Sequence, residues 1–347
     1  MGPGATQWDF NATTRSEDMP NIQLSMAISR YDHVSDLVNG RVRAEGIDLT
    51  PMELPIEEIF FRMFSFQEWD AAEFSMAKYV SLVATGNAPF RAIPVFPSRV
   101  FRQSAFYVAA GGPIQGPNDL AGRRLGVPEW VQTAGVYARA FLEHQCGVPL
   151  KDIRWFQAGV NQAGRTEKVV SSLPNGVTIE QIPDRSLNEM LLAGDLDGII
   201  SAREPAGFAA GDPRIVRLWP DYRAREESYF RETGIFPIMH VVVIRNETLS
   251  RHPWVAMNLL RAFDEAKRNS LKRLATIVNS PIALPWSYSA YHSAQQVFGD
   301  DLWPYGIEAN RRTLDPFLGY CREQGITPHQ LAVEELFPPE LSKVFKV

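Results

Sequence analysis

The run FPIMHVVVIR, Phe236 to Arg245, narrows the choice of fold more than any other stretch of this 347-residue chain. It is apolar almost without interruption, carries a single histidine, and is bounded by turn residues. A strand with one wet face would alternate. A strand without alternation is buried on both faces, as in sheets covered by helices. The other periodicities fit an α/β chain. Ile22, Leu24, Met26 and Ile28 recur at period two, the mark of a strand. In PIEEIFFRMF, residues Ile56, Ile59, Phe60 and Met63 fall at i, i+3, i+4 and i+7, one face of a short helix that Pro55 can open.

DAAEFS reads as a short buried strand, and FRAIPVFPSRVFRQSAFYVAA as two strand-like runs interrupted at Pro97, Ser98 and Arg99. Further on come a turn, a strand from Arg124 to Val127, and a helix carrying Val131, Ala134, Ala138, Phe141 and Leu142. DIRWF, TIEQI and LDGIIS add strands, SLNEMLLAG adds a helix, and His252-Pro253 precedes a long helix striped by Val255, Leu259, Ala262, Phe263 and Ala266. This alternation predicts a mostly parallel sheet covered by helices. A chain of this length seldom folds around one core, so two α/β lobes are expected. Residues 20–111 with 235–347 would form the first and 112–234 the second, with a ligand cleft between them. Residues 1–19 are polar and are expected to be a mobile extension.

A formal charge of −5 argues against a broad nucleic-acid surface, which needs basic residues to release phosphate counterions. No run has the length of a membrane span. The amino terminus lacks the apolar segment of a secretory signal, so a cytoplasmic location is the expectation. Cys146 and Cys321 are too few for a disulfide framework and lack metal-ligand spacing, which leaves them as structural thiols. HxH, HExxH and CxxC arrangements and a phosphate-binding glycine loop are missing, so no cofactor and no metal are predicted. A metal held by ligands assembled in space from Asp32, His33, Glu73 and His240 would leave no such local motif.

Candidate site residues stand where strands should end at the cleft. Arg30, Tyr31, Asp32 and His33 follow the first strand. A histidine exchanges protons near neutral pH and Asp32 is placed to bias it, although Asp32 or Ser29 capping the next helix is the competing reading. Ser98, Arg99 and Arg102 lie at the interrupted strand. Three apart, the two arginines would face opposite ways, one toward ligand and one toward solvent or an acidic neighbour. Glu73 and Ser75 occupy another strand exit, with Glu73 otherwise serving as partner to a structural arginine. Thr133 and the helix start after VPEW offer an anion site, or Thr133 merely caps. Glu129 pairs with a base, accepts from a hydroxyl, or caps. Arg203 and Glu204 follow the DGIIS strand, where an internal ion pair would also explain them. His240 is a catalyst or a hydrogen-bonded core residue.

DLAGRRLGVPEW and LLAGDLDGIIS resemble phrases of the type II periplasmic solute-binding fold. A narrower likeness runs from Met19 to the end. YDHVSDLVNGRVRAEGIDL, EEIFFRMF, IPVFPSRVFRQSAFYV, FRETGIFPIMHVVVIR, HPWVAMNLLRAFDEAK and WPYGIEANRRTLDPFLGYCREQGI resemble the 4,5-dihydroxyphthalate decarboxylase family. The resemblance implies a carboxy-lyase of phthalate degradation that turns 4,5-dihydroxyphthalate into protocatechuate and carbon dioxide. Each hydroxyl of that diacid is para to one carboxylate, so protonating the ring carbon that bears the leaving group lets the para oxygen supply electrons. The chemistry asks for arginine anchors for two carboxylates, an acceptor near the catechol, and an acid near the ring. With the resemblance, His33, His240 and Asp32 become the expected catalytic group. Arg30, Tyr31, Glu73, Ser75, Ser98, Arg99, Arg102, Glu129, Thr133, Arg203 and Glu204 become the expected binding residues. A small aromatic dicarboxylate is then the partner, and a homo-oligomer would be ordinary for such an enzyme. The alternative is a solute-binding or sensor protein that holds an aromatic acid unchanged.

Overall fold

The structure, a computed structural model, describes residues 20–167 and 172–341. The extension expected at 1–19 lies outside the described residues. The alternating segment forms β1 (Ile22–Ile28), followed by α1 (Ser35–Val38), β2 (Ile47–Glu53), α2 (Ile56–Phe66), β3 (Ala71–Ser75), α3 (Met76–Ala84) and β4 (Phe90–Ile93). The strands β5 (Phe106–Ala109), β6 (Arg124–Val127), β7 (Arg154–Gln157), β8 (Ile179–Gln181), β9 (Gly198–Ile200) and β10 (Ile215–Arg217) build a second sheet. Between them run α4 (Thr133–Ala140), α5 (Leu187–Ala193) and α6 (Ala206–Ala209), and α7 (Tyr222–Thr233) follows. The chain then returns to the first sheet as β11 (His240–Arg245), giving strand order β2-β1-β3-β11-β4 there and β10-β5-β9-β6-β7-β8 in the second. It closes with α8 (Asn246–Arg251), α9 (Val255–Leu274), α10 (Ser287–Phe298) and α11 (Arg311–Glu323).

Local chemistry explains the element ends. Ser186 accepts from the Glu189 N–H at 3.2 Å and Glu189 accepts from the Ser186 N–H at 2.9 Å, a reciprocal cap for α5. Gly194, at φ 79°, closes the same helix in the left-handed conformation that other residues resist. In α9 the stripe Val255, Leu259, Ala262, Phe263 and Ala266 is buried as the spacing requires.

In the second sheet β9, β6, β7 and β8 all run parallel, as the strand-helix alternation there predicts, but the first sheet is mixed: β1, β2 and β3 run parallel and β11 is antiparallel to both β3 and β4. The returning chain enters beside the end of β3, so it can only run back along it. Only the second half of FPIMHVVVIR is strand, because Pro237 has no N–H for a ladder and Ile238 makes an isolated bridge to Arg99. The boundary expected at 111/112 falls just after β5. β5 pairs with β9 and β10, so the chain changes sheets before Phe106, in the proline-broken segment that reads locally as an interrupted strand.

The carboxy-terminal part touches both sheets' helices. Tyr137 of α4 stacks on Phe317 of α11 at 4.8 Å. Arg139, fully buried, lies 3.7 Å over the Trp130 ring and donates to the Gln324 side chain at 2.8 Å. Tyr79 of α3 donates its hydroxyl to the Leu336 carbonyl. Among the described residues, no helix is long and apolar enough to cross a membrane.

Candidate active site

The antiparallel return of β11 creates the site. Its first residue, His240, stands opposite Ser75, the last of β3, while β1 ends alongside. Glu73 is two residues before Ser75 and therefore on the same face, diagonal to His240. Glu73 is fully buried, and its Oε1 receives the Tyr31 hydroxyl at 2.6 Å and contacts His240 Nδ1 at 2.7 Å. Its Oε2 accepts from the Ser29 N–H at 3.0 Å. Three polar groups therefore converge on one buried carboxylate. Burial, and then the charge of Glu73, hold the Tyr31 phenol far above its ordinary range, so it remains a donor. With Nδ1 donating to Glu73, Nε2 is the nitrogen of His240 left to exchange a proton. The Phe60 ring meets His240 edge-on at 4.9 Å and covers one side.

His33 is placed differently from expectation. Its ring lies between Tyr31, at 5.3 Å, and Trp303, at 5.1 Å, and bonds to the Pro97 carbonyl. Burial pushes its pKa down to about 4 despite the pull of Glu73 and Asp32, so near neutrality it is uncharged. Asp32 reaches His33 only through its charge and caps no helix; its carboxylate bonds to Ser270 and lies 3.8 Å from Arg273. A measurable consequence follows from the depressed value. Above about pH 6.5 the histidine is neutral folded or unfolded; as the pH falls toward 4, the unfolded chain takes up its proton first. That linkage removes about 3 kcal/mol of stability across the window. In His33→Phe, denaturant midpoints should lose correspondingly less between pH 7 and pH 4 than in the wild-type chain. Equal acid losses in both would reject the assignment.

Opposite this edge, α4 brings its first turn. Thr133 Oγ1 lies 3.0 Å from the Ser75 hydroxyl and accepts from the Ala77 N–H at 3.0 Å, so it bridges the two sheets' helices and does not cap its own. Glu129, 1% exposed, meets Lys78 at 2.7 Å and Arg165 at 2.7 Å. Burial pushes the Glu129 carboxyl up, but the two cations outweigh it and the net shift is downward. Arg203 pairs with Glu57 at the start of α2, a further ion pair between the two halves.

Arg99 and Arg102 divide more sharply than their spacing predicts. Arg99 is buried, and its terminal nitrogens donate to the Phe236 carbonyl at 3.0 Å, the Pro304 carbonyl at 2.8 Å and the Asn310 side chain. That fork is spent on the fold. Arg102 bonds through Nε to Met239 Sδ at 3.2 Å, and its terminal nitrogens have no partner among the described residues. Burial lowers its pKa to about 10, the expected response of a cation without a bonded anion. Ser98 sits between the elements, its hydroxyl bonded to Tyr31 and its carbonyl accepting from the Met239 N–H at 2.8 Å.

A curated protein of Comamonas testosteroni, 4,5-dihydroxyphthalate decarboxylase, is 36% identical over 330 residues, covering 95% of this chain and all of that protein. The chain belongs to the 4,5-dihydroxyphthalate decarboxylase family. As a member it is a carboxy-lyase. A protein of the same name from Pseudomonas putida is 38% identical over 214 residues, 61% of this chain and 83% of that one. No family model matches. Among solved structures, the periplasmic aliphatic sulphonate binding protein of Escherichia coli superposes with a TM-score of 0.53 at 13% identity, covering 93% of this chain and 99% of that one. A periplasmic sulfonate-binding protein of Methylobacillus flagellatus gives 0.51 at 12%, covering 92% of each. These likenesses show the two-lobed solute-binding fold.

In this decarboxylase, then, the structure gathers Tyr31, Glu73, Ser75, Ser98, Thr133 and His240 at one edge. It leaves Arg30 outside, 85% exposed and 3.2 Å from Glu53. Glu204 is half-exposed and paired with Arg217 at 2.7 Å. Lys78, Arg165, Glu57 and Tyr305 are absent from the sequence reading. Lys78 rides on an otherwise apolar helix, and nothing local marks the other three. The four residues considered for a metal do not converge, since Asp32 turns to Arg273 and only Glu73 and His240 touch. Among the described residues, the group within ligating reach is Glu143, His144 and Glu323, a mostly exposed cluster.

Proposed function

We propose that this decarboxylase acts on 4,5-dihydroxyphthalate and releases protocatechuate and carbon dioxide, with His240 as the proton donor. The observation that carries the reading is the contact between His240 Nδ1 and the buried Glu73 carboxylate. A carboxylate fixed behind an imidazole holds the ring in place and aims Nε2 outward. In the step proposed, Nε2 gives its proton to the ring carbon bearing the departing carboxylate. Positive character spreads to the para oxygen. The carbon–carbon bond then breaks, its electrons restore the aromatic ring, and carbon dioxide leaves; His240 regains a proton from solvent. Arg102, half-buried and with terminal nitrogens unbonded among the described residues, supplies the fork for the retained carboxylate. The reaction proposed uses no metal, a reading supported by the dispersal of Asp32 and His33 from the Glu73–His240 pair.

Purified protein incubated with 4,5-dihydroxyphthalate, with and without a chelator, should release equal carbon dioxide and protocatechuate in both arms. Binding without release would favour a solute-holding role. Release abolished by the chelator and restored by one divalent ion would overturn the metal-free step.

A further inference from the structure

The segment Trp303-Pro304-Tyr305-Gly306 belongs to the region that resembles the decarboxylase family, yet nothing above gives it a role in the chemistry. The structure packs it against His33 and Arg99. Trp303 donates its indole N–H to the Phe96 carbonyl at 2.9 Å and sets its ring against His33. The Pro304 carbonyl takes a bond from Arg99, and the Gly306 N–H donates to the Pro94 carbonyl at 2.8 Å. Tyr305 is thereby buried to 8% exposure, close enough to Glu73, Arg99 and Tyr31 to feel their charges.

Besides Arg99 Nε, two polar atoms in this wall have no protein partner: the Tyr305 hydroxyl and His33 Nε2, both fully enclosed. A buried polar atom without a bond costs about 1–3 kcal/mol, so two in one neighbourhood call for an explanation. Their chemistry is specific. His33 is uncharged near neutrality, and its enclosed Nε2 can serve as an acceptor. Tyr305 keeps its proton, because burial holds its phenol far above the ordinary range, and offers a donor. An acceptor and a donor offered by the same wall match two adjacent phenolic hydroxyls, each of which can both give and take a hydrogen bond.

We propose that His33 Nε2 and the Tyr305 hydroxyl together bind the adjacent hydroxyls of the substrate and so select dihydroxylated aromatic acids over unsubstituted ones. The inference rests on the decarboxylation reading for the identity of the substrate. Accepting a bond from the para hydroxyl would also strengthen that oxygen's electron supply to the ring. A site built to bond hydroxyls discriminates strongly against analogues that lack them, because its own groups are then left unpaired.

Calorimetric titration with protocatechuate and with benzoate reads the hydroxyls alone, since the two ligands differ in nothing else. The wild-type chain should prefer protocatechuate. In Tyr305→Phe, which removes one oxygen, and in His33→Phe, the ratio of dissociation constants should shrink about tenfold while benzoate affinity stays within twofold. A wild-type ratio in either folded variant overturns the proposal, and the smaller Tyr305→Phe change keeps the test standing if His33→Phe does not fold. No bond is broken in these titrations. A chain that showed the ratio but released no carbon dioxide would refute the reaction and spare this inference.

Discussion

Glu73→Gln is expected to lower kcat roughly a thousandfold while leaving ligand affinity within a few fold; replacing the carboxylate behind a catalytic histidine by its amide has effects of this order or larger. The geometry says why. Oε2 faces the Ser29 N–H, a backbone donor that cannot rotate away, so the amide oxygen must take that place. The amide nitrogen then falls where Oε1 stood, facing the Tyr31 hydroxyl and His240 Nδ1. His240 must accept there instead of donating, and the carboxylate that held its Nδ1 is gone. Its remaining Nε2 proton is far too weakly acidic to reach a ring carbon. Single-turnover kinetics and equilibrium binding of a non-reacting acid measure the two effects separately. A variant with wild-type turnover would remove the Glu73–His240 pair from the chemistry.

The two arginines of PSRVFRQS should give opposite phenotypes. Arg99→Lys should cost about 2–4 kcal/mol of folding stability, because one ammonium cannot reach the Phe236 and Pro304 carbonyls and Asn310 together, and buried acceptors are left bare. Ligand affinity in the folded fraction should hardly change. Arg102→Lys should leave the denaturation midpoint near that of the wild type and weaken carboxylate binding about 10–100-fold, through loss of the two-pronged fork. Denaturant titration beside calorimetry of phthalate decides the matter. If Arg99→Lys keeps its stability and loses affinity, the roles assigned here are exchanged.

How much of this was legible in the sequence depended on the range of the interaction. Elements set by neighbours in the chain could be read: the alternation of β1, the apolar face of α2, the stripe of α9. So could the strand exits at Glu73 and His240, since an ionisable residue in an apolar run stands out. Their partnership could not, because 167 residues separate them and only the antiparallel register of β11 joins them. Asp32 was misread for a related reason. A carboxylate next to a histidine looks like its partner, but α9 offers Ser270 and Arg273 from a distant helix, and those contacts prevail. Tyr305 gave no signal, since a tyrosine between proline and glycine reads as a turn. What marks it is a hydroxyl enclosed without a partner, and a sequence does not contain enclosure.

The strap formed by the last helix has a mechanical corollary. Arg139 rests on Trp130 and reaches Gln324, just beyond α11, while Tyr79 on the opposite half holds the Leu336 carbonyl. Hinged receptors swing apart as rigid shells; here such a swing would strip a guanidinium of its acceptor in an oily interior, or drag the tail away from α3. Traffic of acid and gas is therefore cheaper by unzipping the rim, where Arg203 and Glu57 are wet and readily parted, than by prising the molecule open.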